Sequence, residues 1–136
     1  MANANAAPVV LFPSATLPAV ATATDADVAV FVAPFDCTVT AVTYVANALL
    51  TGANTNSRTL NLRNKGQDGS GSTVVASKAF VSGVNAAAFD ETAITLSGTA
   101  ANLDLAAGDV LALQSDSVGT GLADPGGLLR VSVARR

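Results

Sequence analysis

The residues able to do covalent chemistry are few. Histidine is absent and cysteine occurs once, at Cys37. A cysteine nucleophile draws on a neighbouring base, usually histidine. Cys37 opens the alternating run "CTVTAVTYVAN" and reads instead as a small apolar residue facing a core. The acidic side chains are the remaining acid–base candidates. Asp90 and Glu91 are adjacent, and neighbours on a strand point to opposite faces. Glycoside hydrolysis needs two carboxyls facing each other across the bond to be cleaved. Asp104 with Asp109, and Asp25 with Asp27, could meet in principle, but no residue that would tune either pair is evident. Asp109 has a structural role in prospect, because Gly108-Asp109 in "AAGDVLAL" is a turn signal ahead of a strand. No enzyme is expected.

Binding chemistry is equally thin. Zinc sites draw on Cys and His. Calcium draws several oxygens from one loop. "ATDADV" offers Asp25 and Asp27, and "KGQDGSGS" offers Asp68 alone, so neither metal nor other cofactor is expected. "GQDGSG" is superficially like a glycine-rich phosphate loop, yet it is not GxxxxGK[ST] and no helix pattern follows it. It reads as a hairpin tip. Aromatic residues are 4% of the chain, with no tryptophan. Tyr44 is the single tyrosine, and Phe12, Phe31, Phe35, Phe80 and Phe89 are expected in the core or at an interface.

Charge excludes further classes. Charged residues are 12% of the chain and the net charge is −3. Such a chain lacks the basic footprint of a nucleic-acid binder. The pair Arg135 and Arg136 reads as a solvated chain end. Mean hydropathy is +0.46, but much of the apolar count is alanine. No run of about 18 large apolar residues occurs, so no membrane-spanning helix is expected. The first residues lack a basic stretch, and Pro8, Pro13 and Pro18 interrupt any apolar run, which argues against a signal peptide.

The elements that would position these residues fall into two units. Residues 1–24 are uncharged and rich in Ala, Asn, Thr and Pro. They are expected to form an extended N-terminal arm. The apolar patch Val9, Val10, Leu11 and Phe12, with Leu17 nearby, is the expected contact with a neighbouring subunit or a capsid. Deleting the arm should leave the body folded. Residues 25–136 are the expected β-sandwich domain. Short alternating runs recur there with turn residues between them: "DVAVFVAP", "CTVTAVTYVAN", "RTLNLRN", "STVVASKAFVSG", "TAITLSG", "NLDL", "GDVLALQSD" and "GLLRVSVARR". In the second run, alternation puts Val39, Ala41 and Val45 on one face, with Thr38, Thr40 and Tyr44 on the other. Leu60 and Leu62 point inward, as do Ile94 and Leu96. "VNAAAFDET" is either one helical turn or a loop. The fold class is all-β: an antiparallel sandwich whose strand count fits a jelly roll or an immunoglobulin-like sandwich.

The run "LDLAAGDVLALQSDSVGTGLADPGGLLRVSV" resembles the C-terminal strands of small bacteriophage head proteins, the capsid decoration or cement proteins. "TVTAVTYVANALLTGANTNSRTLNLRNKG" is similar to their early strands. The resemblance implies a jelly roll and a homotrimer on the outer capsid surface of the virion. Its partner would be the major capsid protein, whose subunits it would clamp together. Neither nucleic acid nor membrane is an expected partner. The competing reading is a β-sandwich module that binds a glycan or a host receptor through its end loops.

Overall fold

The computed structural model describes residues 8–136. The first seven residues of the expected arm lie outside that range. Eleven strands follow in order: β1 (Val10–Leu11), β2 (Ser14–Leu17), β3 (Ala26–Val32), β4 (Cys37–Ala46), β5 (Ser57–Asn64), β6 (Thr73–Phe80), β7 (Glu91–Ala93), β8 (Thr95–Leu96), β9 (Asp104–Leu105), β10 (Val110–Val118) and β11 (Gly127–Arg135). One short 3-10 turn, Ala100–Leu103, precedes β9. No helix among the described residues is long and apolar enough to cross a membrane.

Two sheets pack face to face. The first has the order β1-β11-β4-β7, with β2 also on β11 and β9 also on β4. The second has the order β3-β10-β5-β6-β8. Strands β1 and β2 run as one interrupted strand along β11, and β7 and β9 as one along β4. Apart from the two-residue β8, which adds to the second sheet beside β6, the chain then has eight strand positions, arranged 1-8-3-6 in one sheet and 2-7-4-5 in the other. That antiparallel order is a jelly roll, two interleaved Greek keys.

The core lies between the sheets. Val39, Val42, Tyr44, Leu129, Val131 and Val133 come from the first sheet, and Leu60, Leu62, Val75, Phe80, Leu111 and Leu113 from the second. Tyr44 and Phe80 meet edge to face at 6.4 Å. Each fully buried Leu or Phe contributes about 2 kcal/mol of transfer free energy.

Two local features depart from the sequence-based expectation, and a third resolves an alternative. In β4, Ala41 opposes Ser132 while Val39 opposes Val133, so Thr40 is an extra residue. This bulge shifts the inward phase by one residue. Val39 is inward before it, and Val42, Tyr44 and Ala46 are inward after it, while Ala41 is exposed. The expected grouping of Ala41 and Val45 with Val39 is therefore corrected, and Tyr44 moves to the core. Of the two alternatives for 84–92, the loop forms: 84–90 is a loop with Phe89 at φ 58°, and Glu91 and Thr92 open β7.

The second departure concerns the arm. β1 and β2 pair with the chain's own β11, and Val131 N donates to Pro13 O at 3.0 Å. Residues 8–24 are part of the sandwich rather than a separate unit. The cause is edge satisfaction: without β1 and β2, β11 would expose a row of unpaired backbone groups.

Candidate functional surface

Most of the carboxylates are spent on local structure. Asp109 Oδ2 accepts from Asn64 Nδ2 and from Ala106 N, both at 3.0 Å, and closes the turn before β10. Gly108 sits in that turn at φ 90°, where a side chain would be strained. Asp104 Oδ1 accepts from Thr38 Oγ1 at 2.9 Å. Asp90 Oδ1 accepts from Glu91 N at 2.9 Å. Asp25 Oδ1 accepts from the backbone N and the Oγ of Ser117, both at 2.8 Å, and these bonds hold its carboxyl below the usual range. Asp68 Oδ1 takes both Ser70 Oγ (2.7 Å) and Ser70 N (3.0 Å), so "GQDGSG" is a closed hairpin tip. Among the described residues, no three of His, Cys, Asp and Glu are grouped to hold a metal ion. Cys37 is fully buried, and burial pushes its thiol up, away from the reactive thiolate.

One polar cluster is built into the interior. Arg58 is fully buried. Its Nε donates to Leu122 O at 2.7 Å, and its amino groups reach Thr24 O (2.9 Å), Ala21 O (3.1 Å) and Ser115 Oγ (3.3 Å). Ser115 Oγ donates on to Asp124 Oδ2 at 2.7 Å, and Tyr44 Oη donates to Asp124 Oδ1 at 3.1 Å. The cluster ties the loops 18–25 and 119–126 to both sheets. It borders a cleft of about 10 Å³ lined by Leu17, Val28, Leu113 and Asp124 among others, room for no more than a water. Arg58 is not singled out from the sequence. Its phase with Leu60 and Leu62 is the signal that marks it as inward.

The two outer sheet faces differ. On the first, register puts Leu128 between Thr16 and Val45, Arg130 between Ser14 and Thr43, and Ala134 between Val10 and Thr38. Exposed there are Val10 (41%), Phe12 (61%) and Leu128 (40%). Arg130 Nη2 lies 3.6 Å from Glu91 Oε1, and its Nε is buried with no hydrogen-bond partner among the described residues. The outer face of the second sheet carries Asp27, Gln114, Asn61, Ser77 and Thr95.

The expected contact residues divide accordingly. Val9, Val10 and Phe12 are exposed, whereas Leu11 packs against the core. Leu17 is 4% exposed and belongs to the core, so it is withdrawn from the contact set. Leu128, not singled out from the sequence, joins the exposed residues. Phe89 is 77% exposed at the loop end of the sandwich, remote in sequence from Phe12.

No protein-family model matches the chain, and no curated protein matches it. Among solved structures, it is similar to a chain described as "Structure of infectious bursal disease virus Gx strain", with a TM-score of 0.45 and 11% identity. The alignment covers 93% of this chain and 32% of that one. The jelly-roll assignment rests on strand order alone.

Proposed function

We propose that this chain is a structural virion protein, a capsid decoration protein that binds the outside of a phage capsid and stabilises contacts between major capsid subunits. The observation that carries this reading is the asymmetry of the sandwich. One outer face gathers exposed Val10, Phe12 and Leu128 around an incompletely paired Arg130, whereas the centre of the opposite sheet's outer face is a polar row and its exposed valines, Val32 and Val118, lie at the ends of β3 and β10. An apolar centre with an arginine donor is the composition of a protein–protein interface. The polar face would look to solvent. The jelly-roll scaffold is rigid and closes its own β11 edge, as a clamp requires. A homotrimer would join three such faces, and weak contacts so linked gain strength through effective concentration.

The test has two readouts. Light scattering on the full chain should give three times the 13.4 kDa monomer mass. Co-sedimentation with capsids assembled from the cognate major capsid protein should be saturable and should be lost in the triple variant Val10→Asp, Phe12→Asp, Leu128→Asp. Unchanged capsid binding by a folded triple variant would refute the assignment of this face.

A further inference from the structure

The second sheet carries an unbroken row of polar side chains across all five of its strands. Register places Asp27 beside Gln114, Gln114 beside Asn61, Asn61 beside Ser77 and Ser77 beside Thr95. Cross-strand partners share a face. Gln114 lies between buried Leu113 and Ser115, and Asn61 between buried Leu60 and Leu62, so that face is the outer one.

Two internal bonds orient the row. Arg63 Nε donates to Gln114 Oε1 at 3.0 Å, and Ser77 Oγ donates to Asn61 Oδ1 at 2.7 Å. With these oxygens engaged, both amide NH₂ groups are left as donors. Asp27 and Thr95 end the row, and neither side chain has a hydrogen-bond partner among the described residues. The row beside it holds Ala29, Ala112 and Arg63 on one side and Asp116, Thr59 and Ala79 on the other. The result is a shallow polar track about 19 Å long, with one polar group every ~4.8 Å.

We infer that this track binds an extended neutral polysaccharide lying across the strands, one sugar per strand. The strand spacing is close to the advance of one pyranose unit in an extended β-1,4-linked chain. Sugar hydroxyls both donate and accept, which suits alternating amide donors, a carboxylate and a hydroxyl. Charge selects the class. Asp27 and Asp116 outnumber Arg63 on this face, so sulfated or phosphorylated polymers are repelled. No aromatic ring in the row offers a stacking surface, so each site binds weakly, and repeated copies on one surface would supply avidity. The inference uses the face opposite to the proposed capsid contact and does not depend on that contact.

Nuclear magnetic resonance titration of the full ¹⁵N-labelled chain tests it. The probes are the β-1,4-linked tetrasaccharides of glucose and of N-acetylglucosamine, with a heparin tetrasaccharide as the anionic control. Saturable shifts of the Asn61 and Gln114 side-chain amides with either neutral probe are expected. The double variant Asn61→Ala, Gln114→Ala should keep its circular dichroism spectrum and bind about tenfold more weakly or worse. Absence of shifts with both neutral probes up to their solubility would overturn the inference. So would tighter binding of the heparin fragment to the row, or undiminished binding by the folded double variant.

Discussion

Tyr44 Oη donates to Asp124 Oδ1 at 3.1 Å, joining the centre of the first sheet to the loop between β10 and β11. Asp124 also takes Ser115 Oγ at 2.7 Å and Gly126 N at 2.9 Å. One carboxylate thus fastens both sheets and the loop between them. Asp124→Ala leaves Ser115 Oγ and Gly126 N without an acceptor in the interior, while Tyr44 Oη keeps Gly126 O at 3.2 Å, at a cost of about 3 kcal/mol. Tyr44→Phe removes one bond and is expected to cost roughly 1–2 kcal/mol. Urea unfolding of both variants checks the ranking, and a larger loss for Tyr44→Phe would contradict it.

The same tyrosine predicts an alkaline transition. Burial, reinforced by the Asp124 carboxylate, pushes the Tyr44 phenol far above its ordinary value. The unfolded chain releases that proton near pH 10 while the folded chain retains it. Stability from this group is therefore complete below about pH 10 and declines as pH rises further. Burial of Cys37 acts in the same direction. Since Tyr44 is the single tyrosine and tryptophan is absent, tyrosinate absorbance reports this site alone. It should rise together with loss of the far-ultraviolet dichroism. Ionisation in a still-folded protein would show that the hydroxyl is not sealed.

Arg58 is expected to be intolerant of substitution. Its planar fork reaches carbonyls on two loops, a geometry that a lysine cannot reproduce. Arg58→Lys should lower stability by about 3 kcal/mol. Amide exchange should accelerate in residues 18–25 and 119–126 before the strands respond. Uniform acceleration throughout the chain would argue against a local clamp.

Removal of residues 2–24 is expected to abolish cooperative unfolding. The deletion strips β1 and β2 from β11 and takes Leu17 out of the core. By contrast, Phe12→Ser at an exposed site should change stability by no more than about 0.5 kcal/mol. Thermal unfolding of both variants separates these outcomes. A truncated chain with a sharp native-like transition would show the segment to be dispensable.

Close backbone approach sets a further limit at Gly127. A Cβ there would stand 2.0 Å from Val45 O, and the residue sits at φ 153°. Gly127→Ala must separate β11 from β4 locally, at a cost of about 3 kcal/mol. A denaturant midpoint matching the parent protein would refute this.

Most strands of the body, and the all-β class, are legible in the sequence alone. Alternation with period two marks which segments are extended, and turn residues mark where they stop, because both are properties of neighbouring residues. "GDVLALQSD" and "GLLRVSVARR" correspond to β10 and β11 for that reason. Tertiary structure decided what depends on residues far apart in the chain. The bulge at Thr40 arises opposite Ser132 and Val133 and turns Tyr44 inward against the simple alternation. Arg58 is buried because carbonyls of Ala21, Thr24 and Leu122 converge on it. The segment from Val10 to Leu17 becomes sheet because β11 needs a partner along its outer side, which no local pattern encodes. The polar row has the same origin. Asp27, Asn61, Ser77, Thr95 and Gln114 lie on five separate strands, and only the register of the folded sheet brings them into line.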